Sequence, residues 1–138
     1  MHSLAFRQFA SLAGRILLAL IFVLSGWGKI GSFEMTSGFM ASKGLPMTDV
    51  LLVLTIVIEL VGGLMIVVGW RARWAALAIF LFLIPTTFIF HNFWAVDPAE
   101  MRNQMNAFMK NIAIMGGMLY IMAYGPGPLS VDERDTAP

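Results

Sequence analysis

Glu59 stands in residues 50–65, a stretch whose only other polar side chain is Thr55. A carboxylate at membrane depth is costly and persists only with a partner or a water-filled cavity. Three other apolar segments carry polar residues of their own: Ser25 and Lys29, then Thr87 and His91, then Asn106, Lys110 and Asn111. An acid, an imidazole and two amines are the ingredients of proton transfer and of hydrogen bonding to a carbonyl-bearing ligand. Glu59, His91 and Lys110 form the candidate catalytic set, with Glu59 as a proton relay and the other two as donors to a ligand oxygen. Ser25, Lys29, Thr55, Thr87, Asn106 and Asn111 are candidates for lining the same pocket.

The spacing supports a shared pocket. Residues four apart lie on one helix face. Ser25 and Lys29, Thr55 and Glu59, Thr87 and His91, and Asn106 and Lys110 are such pairs, with Asn111 beside the last. Lipid would leave these donors and acceptors unsatisfied, so the cheapest arrangement turns all the stripes inward. At a rise of ~1.5 Å per residue, Glu59 lies roughly 15 Å into its helix. Lys29, His91 and Lys110 lie within about two turns of one membrane face. This spacing predicts a cavity floored by Glu59, with Gln104, Asn92 and Asn103 at its mouth. Plainer roles compete. Glu59 pairs with Lys110 as a strut between helices, Lys29 extends to the interface, and His91 bonds a carbonyl. Asn106 and Asn111 hold helices together, and Thr55, Thr86 and Thr87 bond their own backbone.

Composition names the elements that must position these residues. The chain has 138 residues, 59% hydrophobic and 12% charged, with a mean hydropathy of +0.80. A water-soluble domain of this size needs more charge to cover its surface. A spanning helix takes roughly 20 residues, so the chain holds about four spans with short connections. Those spans are expected at 10–30, 48–69, 73–94 and 106–124, as a single all-α integral membrane four-helix bundle followed by a polar tail, 125–138. The apolar run after Arg15 reads as a retained first helix rather than a cleaved signal. Thr48 is the expected cap of the second span. The glycine pairs at 62–63 and 116–117 suit close helix packing. Arg7, Arg15, Arg71, Arg73 and Arg134 fall on one side and Lys29, Lys43 and Arg102 on the other, which places both termini in the cytoplasm. The net charge of +1 and the absence of cysteine argue against a nucleic-acid partner and exclude thiolate chemistry. The eleven methionines lack the clustering of a thioether copper site, and no metal site is expected.

Five segments, in order, carry a resemblance: Ser25-Gly26-Trp27-Gly28-Lys29-Ile30, Glu59-Leu60-Val61-Gly62-Gly63, His91-Asn92-Phe93-Trp94, Asn106-Ala107-Phe108-Met109-Lys110-Asn111 and the exit Gly125-Pro126-Gly127-Pro128. Together they resemble the DoxX family of small bacterial membrane proteins. The resemblance implies a multi-pass protein of the bacterial inner (plasma) membrane. It also implies a link to redox complexes, including the membrane part of a thiosulfate:quinone oxidoreductase, and it carries over no catalytic residues.

The leading functional expectation is a redox-associated membrane component, at most a subunit of a membrane oxidoreductase, with a pocket open to quinone or lipid. A quinone needs an apolar slot and one or two donors at its oxygens. Nothing in the chain would hold it covalently. With His2 the only other histidine, a bis-histidine haem cannot be built within one bundle, so electrons would come from a redox partner protein. A non-enzymatic scaffold, docking partners through residues 31–47, is the alternative, and a small transport module the third. Membrane lipids surround any of these, and the glycine-rich, apolar faces suit a homo-oligomer.

Overall fold

A computed structural model describes residues 1–136 of the chain; side chains are described as far as residue 134. Among the described residues there are helices and no strands. Helix α1 spans Leu4–Gly31 and α2 spans Phe33–Ser42. Helix α3 covers Thr48–Val68, α4 covers Ala72–Phe90, and a single 3-10 turn, Phe93–Ala95, leads into α5, Pro98–Tyr124. A short α6, Val131–Thr136, follows. Helices α1, α3, α4 and α5 are long and apolar enough to cross a bilayer. At ~1.5 Å per residue the 27 residues of α5 extend roughly 40 Å, so its ends project past a hydrocarbon layer of about 30 Å.

The bundle is inside-out relative to a soluble protein. No more than 28% of the most apolar window of any span is buried. Leu17, Leu24, Val53, Val57, Leu64, Leu81 and Phe88 all stand exposed on its outside, a surface suited to lipid. The buried core is small: Ala19, Phe22, Ile66, Ala72, Ala75, Ala76, Ile79, Leu83, Met118 and Ile121. Alanine and glycine bring the backbones close there. A Cβ on Gly63 would lie 2.9 Å from Val23 Cγ2, and one on Gly117 would lie 3.1 Å from Leu18 Cδ2, whereas Gly116 faces open space.

The sequence reading needs several corrections. Residues 31–47 are not a plain connector, because most of them form α2. Thr48 is not the cap of α3: Met47, with φ 50°, precedes the helix, and the Thr48 hydroxyl bonds Ser37 Oγ at 2.7 Å. The tail is folded back, not free. Arg15, counted among the charges of one membrane side, is buried inside the bundle end. It donates to the carbonyls of Val67 (3.2 Å), Pro126 (2.8 Å), Pro128 (3.4 Å) and Leu129 (2.8 Å). Asp132 accepts from the backbone N–H groups of Arg71 (2.7 Å) and Ala72 (2.9 Å), capping the otherwise bare start of α4. Ser130 and Gly69 meet so closely that a Cβ on Gly69, itself at φ +72°, has no room. The end of the expected tail, 137–138, lies outside the described residues.

Candidate functional site

The site begins with an irregular turn. Helix α3 is interrupted by a π-helical turn, Val57–Val61, centred on Glu59. Such wide turns occur mostly as single insertions in α-helices and are frequent at functional sites. The turn lies against Gly26 of α1. A Cβ on Gly26 would sit 2.9 Å from Leu60 N and 3.3 Å from Glu59 Cβ. Only glycine lets α1 approach the widened helix this closely.

That approach makes an ion pair. Lys29 Nζ donates to Glu59 Oε1 at 2.6 Å and to Ser25 Oγ at 2.6 Å. The carboxylate side chain is 4% exposed and the lysine side chain 27%. The strut expected between Glu59 and Lys110 is therefore absent, and Lys29 does not extend outward. Side chains on a helix lean toward its N-terminus, which for Lys29 is back over Ser25 and into the bundle.

The other polar residues form separate short links. Asn111 Nδ2 donates to Thr87 Oγ1 at 3.1 Å, tying α5 to α4 with both residues buried. His91 Nδ1 lies 2.9 Å from Gln104 Oε1. With an amide oxygen facing it, Nδ1 is the donor of this bond. Thr55 and Thr86 hydroxyls bond the Leu51 and Phe82 carbonyls one turn back. Thr36 bonds Ser32. Lys110 has no hydrogen bond or ion pair among the described residues.

A cavity of about 350 Å³ gathers most of this set. Ser25, Lys29, Thr55, Glu59, His91, Lys110 and Asn111 line it, together with Gln104, Thr36 and Thr86. Its apolar wall includes Phe39, Met40, Phe82 and Phe90. Thr87 sits one hydrogen bond behind the wall. Asn106 is exposed and lies away from the cavity, as do Asn103 and Asn92 among the expected mouth residues. Sequence reasoning missed α2, which contributes Thr36, Phe39 and Met40. The signal was present, since positions 33, 36, 37 and 40 follow helical spacing, but Gly38, Gly44 and Pro46 masked it.

Comparison with known proteins agrees with this architecture. The chain is 39% identical over 122 residues to the inner membrane protein YqjF of Escherichia coli, covering 88% of each. It is 32% identical over 130 residues to the inner membrane protein YphA of the same organism, covering 94% of this chain and 93% of YphA. A Surfeit locus protein 4 homolog of Schizosaccharomyces pombe is 28% identical over 93% of this chain but only 38% of its own length. No solved structure gives a significant match. The DoxX family profile matches residues 10–92, a segment that holds the Lys29–Glu59 pair and His91 and stops before α5. On these matches, and with four helices able to span a membrane, the chain belongs to the DoxX family as a multi-pass protein of the inner membrane.

Proposed function

We propose that this protein is the membrane-embedded, ligand-binding component of a redox system, and that its cavity takes a quinone. One observation carries the reading: a cavity of about 350 Å³ between the spans has phenylalanine rings at Phe39, Phe82 and Phe90 and ionisable groups at Lys29, Glu59, His91 and Lys110 in its wall. Its volume falls in the range of small-molecule sites. A flat ring suits the aromatic side, and the Lys110 ammonium is the free donor for a ring oxygen. His91 plays the opposite part from the donor expected from sequence. With Nδ1–H committed to Gln104, Nε2 of a neutral imidazole accepts a hydrogen bond from the hydroxyl that forms as the ring is reduced. Glu59 is the group able to relay a proton from water to the ring, once its bond to Lys29 loosens. Electrons reach the ring from a partner protein, because with no cysteine and only His2 besides His91 the sequence offers neither a cysteine-ligated cluster nor a bis-histidine haem within one bundle.

The test is direct. Full-length protein purified from its membrane is extracted for quinones and then titrated with a neutral short-tailed quinone analogue in lipid nanodiscs. Saturable binding is expected, weakened several-fold by Phe90→Ala through loss of ring contact. No extracted quinone and no saturable binding overturns the reading and favours a scaffold.

A further inference from the structure

We propose that the cavity takes its ligand as an anion: an amphiphile whose acidic headgroup is held by Lys110. The inference rests on the cavity being a ligand site, though not on the ligand being a quinone. Its basis is a charge count. Lys29 and Glu59 cancel each other at 2.6 Å. His91 is hydrogen-bonded to Gln104. Every other polar side chain on the cavity wall has the partner given above. Lys110 alone has none among the described residues, yet it lines the cavity. The cavity therefore carries one uncompensated positive charge beside an apolar, phenylalanine-walled space.

An unpaired ammonium on the wall of an apolar cavity gains most when an anion meets it, because a charge-assisted hydrogen bond is stronger than a neutral one. Among the described residues none supplies such an anion, since the one carboxylate on the wall is Glu59, already paired. A ligand that combines an acidic head with an apolar body meets both demands at once. Two sources share that chemistry: an acidic quinone whose ring hydroxyl is ionised, and a long-chain fatty acid from the bilayer.

The experiment uses full-length protein in nanodiscs of neutral lipid and two matched pairs of ligands. One pair is a 2-hydroxy-3-alkyl-1,4-naphthoquinone and its 2-methoxy counterpart. The other is a fatty acid and the alcohol of the same chain length. Each is titrated against wild type, Lys110→Gln and Lys110→Arg. Comparing proteins for one ligand cancels the ligand's own partition into lipid. Lys110→Gln is expected to weaken the ionised member of one pair about tenfold, the size of one charge-assisted hydrogen bond, and its neutral partner far less, because glutamine still donates a neutral hydrogen bond. Lys110→Arg is expected to restore most of the difference. The pair that responds identifies the source. Equal effects on both members, or none, would overturn the proposal and make Lys110 a hydrated interfacial amine. Binding of the neutral naphthoquinone without any preference for its ionised form leaves the quinone reading standing and removes this one. A response confined to the fatty acid, with neither quinone bound, does the reverse. Lys110 is exposed and makes no bond, so these variants are expected to elute and melt like wild type.

Discussion

A lysine near the end of a spanning helix ordinarily reaches outward to the headgroups; Lys29 turns inward because a buried carboxylate and a serine hydroxyl wait one turn back. The presence of a charged pocket was legible from residue types alone, since a carboxylate in an apolar run must find a partner. Which amine it finds was not legible. The choice depends on the rotation of α1 against α3, set by Gly26 and by a π-turn that leaves no residue signature. The consequence is a specific coupling. Glu59→Leu removes the counter-charge and leaves Lys29 with one serine bond. Breaking a fully buried pair costs roughly 3–5 kcal/mol, so about 2–4 kcal/mol is expected here because the lysine end is 27% exposed. Adding Lys29→Met to Glu59→Leu is expected to recover most of that loss, because an apolar pair replaces an ionic one. Adding Lys110→Met instead recovers none. Thermal unfolding of the purified variants in one detergent measures all four proteins, and rescue by the Lys110 change in place of the Lys29 change would refute the pairing.

Among the elements, the long helices announce themselves and the short ones do not. Twenty apolar residues in a row have one reading in a chain this hydrophobic. Helix α2 was hidden by its length and by the glycines around it, and the tail by its polar composition. What fixes the tail is a set of main-chain contacts that no side-chain pattern reveals. Arg15 gathers carbonyls from α3 and from the 126–129 segment, and Asp132 closes on the start of α4. One clasp thus joins α1, α3, α4 and the tail at the end of the bundle remote from the cavity. Arg15→Met keeps most of the stem but strands its carbonyls, and Asp132→Ala uncaps α4 at a cost of ~1–2 kcal/mol. Both variants are expected to release residues 126–134, read as faster amide exchange across that segment. Exchange around Lys29 and Glu59 is expected to stay as in wild type, because no bond of the clasp reaches the cavity. Equal exchange in the tail before and after Arg15→Met would show that the guanidinium holds nothing in place.

For the whole molecule, the charges that the fold leaves exposed argue which end faces the cytoplasm. Counted along the sequence, lysine and arginine differ little between the two sides. Folding takes Lys29 out of the count on one side, since its charge is cancelled by Glu59 within the bundle, and buried Arg15 out of the count on the other. It moves Lys110 into the cavity wall. Away from the cavity, the exposed lysines and arginines are then Arg7, Arg71, Arg73 and Arg134 at the end that holds the start of α1 and α6, against Lys43 and Arg102 at the cavity end. Short, positively charged segments are retained in the cytoplasm. The cavity should therefore open toward the outer face, where a ligand arrives from the outer leaflet or the space beyond it. The sequence offers a clean test because it contains no cysteine. Single-cysteine variants at Lys43, in the connection after α2, and at Arg134, in α6, each present a thiol on an exposed site. With a membrane-impermeant maleimide on spheroplasts, Lys43→Cys is expected to label at once. Arg134→Cys is expected to label only after the membrane is broken. The reverse pattern would put the cavity mouth in the cytoplasm, and a ligand would then have to enter from that side.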